Sequence, residues 1–355
     1  MNGFLAALPT TRFHIKNIIT TLSFQVFKFK IKRVYGPKAI KYGLNEFIVT
    51  CVVKNGESYI RSFVDHYFSL GAKHIVFLDN NSTDNTVPIA CEYKNVTVLK
   101  CGLSDVRYFY EFKRYLIKRF CRGRWCLWAD IDEFFDYPFS DAISMNLFLK
   151  YLNQNNYTAV VVQMLDMFSD EIRDQSKIDN DENIKKFYPY YDISCIEKLD
   201  YCFSKKYAKN NIPSNREIKF YRGGIRKTLF NVSNYLTKHP LVLMNRRIKL
   251  VASTLGSHFV NNAHCADVTC VFYHYVFEDL HNKSMRYLKE RWGWLPQYEN
   301  YVDAFMKNPR LNPRQETSKE LKNVNDLVKN GFLVVSENYL EYIRSEINKI
   351  SEKVS

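Results

Sequence analysis

Glycine and proline are scarce in this chain, at 12 and 10 of 355 residues, whereas phenylalanine and tyrosine are abundant, at 26 and 25. With a hydrophobic fraction of 46%, this composition excludes a disordered chain and predicts a packed core. The length allows one large domain or two small ones.

Long apolar runs are also missing. No stretch of about 18 consecutive apolar residues occurs, so no transmembrane helix is expected. The first charged residue, Arg12, follows an apolar start, which is the wrong order for a secretory signal peptide. We therefore expect the protein to stay in the cytoplasm, where it is made.

The nine cysteines contain no C-x-x-C pair. Cys121 and Cys126 are five positions apart, as are Cys265 and Cys270, and this is not the spacing of a structural zinc site. The thiols are therefore expected to be reduced, as in a reducing compartment.

Acidic residues are absent from the first 44 positions, which carry eight lysines and arginines in a chain of net charge +14. Cations alternate with aromatic and aliphatic residues in FQVFKFKIKRVY, residues 24–35. We expect this basic arm to bind the anionic inner face of the cell membrane. The alternatives are a basic edge strand and a nucleic-acid contact. The rest of the chain has no nucleic-acid-binding signature, so no nucleic-acid partner is expected.

Buried-strand and amphipathic-helix patterns alternate after position 44. Apolar and β-branched runs predict strands at 46–53, 74–79, 96–99 and 125–130. Helical spacing predicts a helix ended by Gly71, a short helix after the second strand and a longer one over 105–120. This alternation predicts an α/β fold with a mostly parallel, Rossmann-like sheet flanked by helices. A further strand at 157–165 is expected at the edge of the sheet.

Polar residues end or follow three of these strands, at the end of a parallel sheet where ligands collect. They are Asn55, Glu57, Asp79, Asp130, Asp132 and Glu133. Because the side-chain period of a strand is two, Asp130 and Asp132 are expected to point the same way and to hold a hard divalent cation. The alternatives are that Asp79 caps the following helix, and that Glu133 is a surface residue or an anchor behind the site.

The ordered set of motifs resembles the GT-A-fold glycosyltransferases related to family 2. The similar pieces are VVKNGESYIRSFVDHYFSLGAKHIVFLDNNSTDNT (52–86), RWCLWADIDEFF (124–135), GGIRKTLF (223–230), LTKHPLV (236–242), SHF (257–259) and HYVF (274–277). The subgroup with a D-x-D-E-F metal motif is the most similar, and the resemblance covers roughly residues 45–280.

The resemblance implies that Asp130 and Asp132 hold Mn²⁺ or Mg²⁺ against the diphosphate of a nucleotide sugar, with Asp132 the direct ligand. Asp79 is implied to lie near the nucleobase or ribose. Asn55 and Glu57 are implied to line the same nucleotide-sugar pocket, to which Asp130 also belongs. The two residues after Asp79 are both asparagine, where the family often has Asp and Gly.

The second half of the chain supplies further candidates. Arg226 follows two glycines in GGIRK and is expected to hold the diphosphate or an anionic acceptor, unless this segment is only a basic turn. His258 and His274 stand where the family keeps a histidine. His274 is the expected metal ligand, because VTCVFYHY brings it to the end of a strand.

Inverting transfer, which the resemblance implies, needs a carboxylate that deprotonates the acceptor hydroxyl. The candidates in this interval are Asp166, Asp192 and Glu217. Glu217 is our predicted catalytic residue, because it is closest in sequence to GGIRK.

Three segments are expected: a basic arm (1–44), a GT-A domain (45–285) and a helical C-terminal tail (286–355). The domain divides into a nucleotide-sugar half (45–165) and an acceptor half (166–285). In the tail, Trp292 and Trp294 are candidates for stacking on an acceptor sugar or for the core. An apolar seam, expected to pack on the domain, is formed by Leu340, Ile343, Ile347 and Ile350.

These features predict a metal-dependent glycosyltransferase of hexosyltransferase type. It would extend a surface glycan, such as lipopolysaccharide or capsule, on a lipid-linked or polymeric acceptor. A phosphatase of the haloacid dehalogenase type is disfavoured, because its Asp motif lies near the N-terminus and has Thr or Val where Glu133 stands here. The other alternative is a basic, membrane- or polyanion-binding protein with a non-catalytic domain.

Overall fold

The computed structural model describes residues 29–103, 105–170, 183–203, 208–251, 259–289, 297–309 and 311–354. Three of the predicted residues, His258, Trp292 and Trp294, lie outside the described residues, as do positions 1–28 of the basic arm.

Strands and helices alternate along the described chain. The strands are β1 (Lys32–Tyr35), β2 (Phe47–Val53), β3 (His74–Asp79), β4 (Val96–Lys100), β5 (Trp125–Trp128), β6 (Glu133–Asp136), β7 (Ala159–Phe168), β8 (Tyr190–Tyr191), β9 (Ile196–Asp200), β10 (Ile212–Pro213), β11 (Lys219–Gly223), β12 (Thr237–Leu243), β13 (Lys249–Leu250), β14 (Val260–Asn261), β15 (His264–His274) and β16 (Lys319–Glu320). The α-helices are α1 (Glu57–Ser69), α2 (Thr86–Ala90), α3 (Asp105–Phe120), α4 (Met145–Gln154), α5 (Ile184–Phe187), α6 (Ile225–Phe230), α7 (Leu280–Lys289), α8 (Gln297–Lys307), α9 (Val324–Lys329) and α10 (Glu337–Val354).

The main sheet of the described residues is mixed and contains twelve strands. Nine of them follow the path β1-β4-β3-β2-β5-β12-β7-β15-β10, and β6, β8 and β16 pair off this path. β4, β3, β2 and β5 pair in parallel, as β-α-β crossovers through α1, α2 and α3 require. β12 lies antiparallel between β5 and β7, and β15 runs parallel to β7 and antiparallel to β6. The predicted α/β class, with a largely parallel sheet flanked by helices, is confirmed.

The central strands of the sheet are buried on both faces. Alternate residues of β2, from Phe47 to Val53, enter one apolar cluster together with α1 and α4, whereas Ile48 enters a second cluster with α3. Burial on both faces explains why this strand is a continuous apolar run and does not alternate with polar residues.

The first helix ends as the sequence predicted. Gly71 follows α1 with φ +94°, a backbone conformation that glycine adopts without strain, and its N–H donates to Phe68 O at 3.0 Å. The helix buries Ile60, Phe63 and Val64, which lie at helical spacing.

The position predicted for the strand at 157–165 is wrong. It is β7, and it lies inside the sheet between β12 and β15. All ten of its residues are buried, including Gln163 and Asp166. A run that is apolar on both faces belongs in the interior of a sheet, because an edge strand would leave part of it in water.

The C-terminal helix α10 packs on the rest of the chain. The Tyr339 hydroxyl donates to Pro138 O at 2.9 Å, and the Tyr342 hydroxyl donates to Leu147 O at 3.0 Å. Only part of the predicted apolar seam is buried, since Ile343 is 4% exposed whereas Ile347 and Ile350 are 38% and 45% exposed.

The described part of the basic arm begins the sheet. β1 pairs antiparallel with β4 at the sheet edge, with Lys32 opposite Lys100, as in the edge-strand alternative. Among the residues that the structure describes, no helix has the length and apolar character needed to cross a membrane.

Candidate active site

The aspartates of DIDEFF lie in a turn. β5 ends at Trp128 and β6 begins at Glu133, whose N–H donates to Asp130 O at 3.0 Å. The strand argument for Asp130 and Asp132 therefore does not apply, because the period of two holds only within a strand. The two carboxylates contact different partners.

Two lysines neutralise the first carboxylate and Glu133. Asp130 Oδ1 lies 2.7 Å from Lys113 Nζ, and Asp130 Oδ2 lies 3.7 Å from Lys238 Nζ. Lys238 also donates to Glu133 Oε1, while Glu133 Oε2 accepts the N–H of Asp130 at 3.2 Å. Burial opposes ionisation of Asp130, but the charges of Lys113 and Lys238 hold its pKa below the ordinary value.

Asp132 lies deeper than Asp130, with its side chain 4% exposed against 26%. Its Oδ2 accepts a hydrogen bond from Lys283 Nζ at 2.9 Å and lies 3.6 Å from His274 Nε2. Burial would raise the pKa of Asp132, but Lys283 and His274 hold it well below the ordinary value. Asp132 is therefore a buried carboxylate that stays ionised through its neighbours.

His274 lies between two aspartates. Its Nδ1 donates to Asp166 Oδ1 at 2.6 Å, and Asp166 Oδ2 accepts from Arg226 Nε at 2.7 Å. Burial opposes a charged imidazole, but the carboxylates of Asp132 and Asp166 raise the pKa of His274. The result is a continuous line from Arg226 through Asp166 and His274 to Asp132.

Strand register explains this meeting of distant residues. In β15, His274 pairs with Glu133 of β6 on one side and with Asp166 of β7 on the other. Residues directly opposite each other in paired strands have their Cβ atoms about 5 Å apart and on the same face. Three strands thus place two carboxylates and an imidazole side by side.

Three of these residues could hold a metal ion. Asp132, Glu133 and His274 each offer one ligand atom, and these atoms all lie within 4.8 Å of one another. Two carboxylate oxygens and an imidazole nitrogen form a donor set that suits Mn²⁺. The group contains two predicted metal ligands, Asp132 and His274. Asp130, the third predicted ligand, is not in this group. Glu133 is in it, and at 2% exposure it is not a surface residue.

The charges around the candidate metal group also decide whether it can bind a metal ion. We call the whole set the cluster; it consists of Asp130, Asp132, Glu133, Asp166, His274, Lys113, Lys238, Lys283 and Arg226. Lys283 contacts Asp132 and Lys238 contacts Glu133, so a cationic nitrogen already lies on both carboxylates of the candidate metal group. Lys283 is 27% exposed and can move toward solvent, whereas Lys238 is 3% exposed and enclosed. A metal ion would therefore take the place of Lys283 on Asp132.

The predicted nucleotide-pocket residues lie in two loops that are bonded together. Asn55, with φ 54°, accepts the N–H of Thr83 at 2.8 Å. The Glu57 carboxylate accepts the backbone N–H of Asn85 at 3.0 Å and its side-chain amide at 2.7 Å. These bonds join the loop after β2 to the loop after β3.

Asp79 ends β3 and is fully buried. Its Oδ1 accepts the N–H of Ser82 at 3.2 Å, so it closes the turn after the strand and does not cap α2, as one alternative had it. Asp84 satisfies a backbone donor at the start of α2, because its Oδ1 accepts the N–H of Thr86 at 3.1 Å.

Both loops lie at the same edge of the sheet as the DID turn. Val53 pairs with Asp79, and Thr50 pairs with Trp128, so β2, β3 and β5 end together. A Cβ on Gly56 would lie 2.8 Å from Val53 Cγ2 and 3.1 Å from Ile131 Cγ1, so the loop after β2 packs on the residue between the two aspartates.

The three candidate bases lie in different places. Asp166 is in the cluster, with both oxygens bonded. Asp192 accepts Ser194 N–H at 2.8 Å and the Thr317 hydroxyl at 2.5 Å in a turn. Glu217 is exposed and precedes β11, whereas Arg226 follows that strand, whose five residues span roughly 16 Å. The structure therefore does not bring Glu217 together with the cluster.

Sequence reasoning missed the three lysines of the cluster. Two carried a signal: Lys238 interrupts the apolar strand LTKHPLV, and Lys113 shares the buried face of α3 with Leu116 and Ile117. A lysine at a buried position needs an acidic partner. Lys283, on the amphipathic helix α7, carried no such signal.

No protein-family model matches the chain, and no curated protein sequence matches it. Its function therefore has to be inferred from the geometry of this site.

Proposed function

We propose that the protein is a metal-dependent, inverting glycosyltransferase of GT-A type, which transfers a sugar from a nucleotide-sugar donor to a surface-glycan or lipid-linked acceptor. The observation that carries the proposal is the Asp132–Glu133–His274 group at the sheet edge where β2, β3 and β5 end. Ligands of parallel α/β sheets bind at that edge. The bonded loops that contain Asn55, Glu57 and Asp79 provide the nucleotide side of the pocket.

Asp132 and His274 would hold Mn²⁺ or Mg²⁺, with Glu133 beside them. A metal ion there supplies positive charge to the leaving diphosphate. Asp166 orients the imidazole, because it fixes the proton on Nδ1 and leaves Nε2 directed toward Asp132. Arg226 acts on the same carboxylate, so its described contact supports an orienting role behind the metal group.

Glu217 is not retained as the base in this proposal, because it is exposed and lies at the far end of β11 from Arg226. Lys283 is the cation best placed to meet a diphosphate. It is partly exposed, it sits on Asp132, and a metal ion would free its ammonium group for phosphate oxygens.

The test is hydrolysis of a panel of nucleotide sugars by the purified protein with Mn²⁺. We expect turnover of at least one donor, which chelator should abolish. Asp132→Asn should cut the rate by several orders of magnitude, since a Lewis acid contributes several kcal/mol at the leaving group. Asp267→Asn is the matched control, because Asp267 is equally buried, accepts a hydrogen bond from the Tyr151 hydroxyl and lies outside the cluster.

One observation favours a second candidate, a polyanion- or membrane-binding protein with a non-catalytic domain. Each carboxylate of the cluster, Asp130, Asp132, Glu133 and Asp166, already contacts a lysine or arginine, as in a structural ion-pair network. In that case no donor is hydrolysed with any metal, and Asp132→Asn changes only stability.

A further inference from the structure

Three segments without acidic residues lie at the opposite edge of the sheet from the candidate active site. They are residues 37–44, 118–124 and 244–247, and none contains Asp or Glu. Together they form what we call the basic edge, which consists of Lys38, Lys41, Lys118, Arg119, Arg122, Arg124, Arg246 and Arg247.

Hydrogen bonds hold the three segments together. Arg119 donates to Lys38 O at 3.1 Å, and Arg124 Nε donates to Tyr42 O at 3.0 Å. Gly123 N donates to Met244 O at 2.6 Å, and Met244 N donates to Arg124 O at 3.1 Å. Segments about 80 and 120 residues apart in sequence therefore form one continuous surface.

Strand register fixes the position of this surface. β2 begins at Phe47 and β5 begins at Trp125, and these two residues pair. Leu243, the last residue of β12, also pairs with Trp125. The basic edge thus lies where β2 and β5 begin, and the seven residues of β2 put roughly 20 Å between it and the candidate active site.

The cations are presented to solvent. Seven of the eight are exposed, and Arg124 is half-buried. Leu44, in the same surface, is 61% exposed. The acid nearest in sequence, Glu46, is already engaged, because it accepts the N–H of Gly43 and pairs with Lys73 at 3.2 Å. The three segments therefore present a cluster of cations with an apolar side chain among them.

We propose that the basic edge binds the surface of an anionic phospholipid bilayer. Clustered cations are attracted to such a surface at about 1 kcal/mol each, which corresponds to roughly fivefold in partitioning. Exposed Leu44 favours a bilayer over nucleic acid, since an aliphatic side chain can enter the headgroup region but offers no ring on which a base can stack. The bound protein would then hold its candidate active site roughly 20 Å from the surface that contacts the lipid.

The test is sedimentation of the full-length protein with phosphatidylcholine vesicles, with and without phosphatidylglycerol. The edge variant is Arg122→Gln/Arg246→Gln/Arg247→Gln, which keeps the hydrogen bonds of Arg119 and Arg124. The control variant removes three exposed lysines near the other edge of the sheet, as Lys186→Gln/Lys319→Gln/Lys322→Gln.

Wild type and the control variant should bind only vesicles that contain phosphatidylglycerol, and binding should weaken at about 0.15 M salt. The edge variant should bind roughly a hundredfold more weakly. Wild-type strength in the edge variant, equal losses in both variants, or no binding by wild type would overturn the proposal. Wild-type binding to a single-stranded oligonucleotide but not to vesicles would replace lipid with nucleic acid.

This inference does not depend on glycosyl transfer. Hydrolysis of a nucleotide sugar by the edge variant in solution, at the wild-type rate, is expected if both proposals hold. The vesicle assay and the hydrolysis assay therefore fail independently of each other.

Discussion

Replacement of Lys283 distinguishes between two interpretations of the cluster, a metal site and a structural ion-pair network. Its ammonium nitrogen lies 2.9 Å from Asp132 Oδ2, where a metal ion would have to bind. Among the residues that the structure describes, His274 is the ion-pair partner that Asp132 keeps in Lys283→Met. Breaking a fully buried pair costs about 3–5 kcal/mol. Because the Lys283 side chain is 27% exposed, we expect a smaller loss, about 2 kcal/mol.

Mn²⁺ should more than restore that loss. A ligand that binds only the folded state at about 100 times its Kd stabilises it by about 2.7 kcal/mol. In wild type the ion must first displace Lys283, so its net gain is smaller by about the strength of that contact. Thermal unfolding with and without Mn²⁺ should therefore show a larger rise in Tm for Lys283→Met than for wild type.

Lys113→Met is the matched control, because Lys113 pairs with Asp130, which is outside the three-residue metal group. It should also lose stability, but its response to Mn²⁺ should equal that of wild type. If Mn²⁺ raises the Tm of Lys283→Met no more than that of wild type and Lys113→Met, Asp132 does not bind a metal ion and the reasoning is refuted.

Three further predictions concern the surroundings of the site. Asp166→Asn should weaken Mn²⁺ binding at least about tenfold in calorimetric titration, because the imidazole loses its charged orienting partner; unchanged affinity would show that His274 is not a ligand. Gly56→Ala should cost about 1–3 kcal/mol in urea unfolding, because the new Cβ would lie 3.1 Å from Ile131; a cost near zero would mean that the loop yields freely. Burial lowers the pKa of His239 to about 3, so this residue should contribute about 2 kcal/mol to the stability that wild type loses between pH 6.5 and 5, because its imidazole binds a proton in the unfolded state but not in the folded one. Urea unfolding at both pH values should show a correspondingly smaller loss in His239→Gln, and an equal loss would contradict the assignment.

The parallel half of the sheet could be predicted from sequence because its signals are local. β2, β3 and β4 are short apolar runs separated by helices of suitable length, and the turn residues after Val53 and Asp79 mark the strand ends. Parallel pairing of such strands follows from the β-α-β crossovers, and the carboxyl ends of parallel strands meet at one edge. Those rules were sufficient to place Asn55, Glu57, Asp79 and the DID turn at one edge.

The partners within the cluster could not be predicted in the same way. Asp166 and His274 are 108 residues apart, and they meet because β15 inserts between β6 and β7. β6 has only four residues and follows directly after a turn, so its pairing leaves no periodic signal. Nothing in the sequence indicated that β5 ends at Trp128. Asp130 and Asp132 therefore lie in a turn and pair with different lysines.

The most direct test of the central claim is binding of nucleoside diphosphates by calorimetry, with and without Mn²⁺. The proposed function predicts that at least one of them binds and that Mn²⁺ tightens its binding. Asp132→Asn should remove mainly the Mn²⁺-dependent part, Asp79→Ala should weaken binding with or without the metal, and Asp267→Asn should change neither. Absence of binding by every nucleoside diphosphate in the presence of Mn²⁺, or binding that is insensitive to both Asp79 and Asp132, would contradict the account.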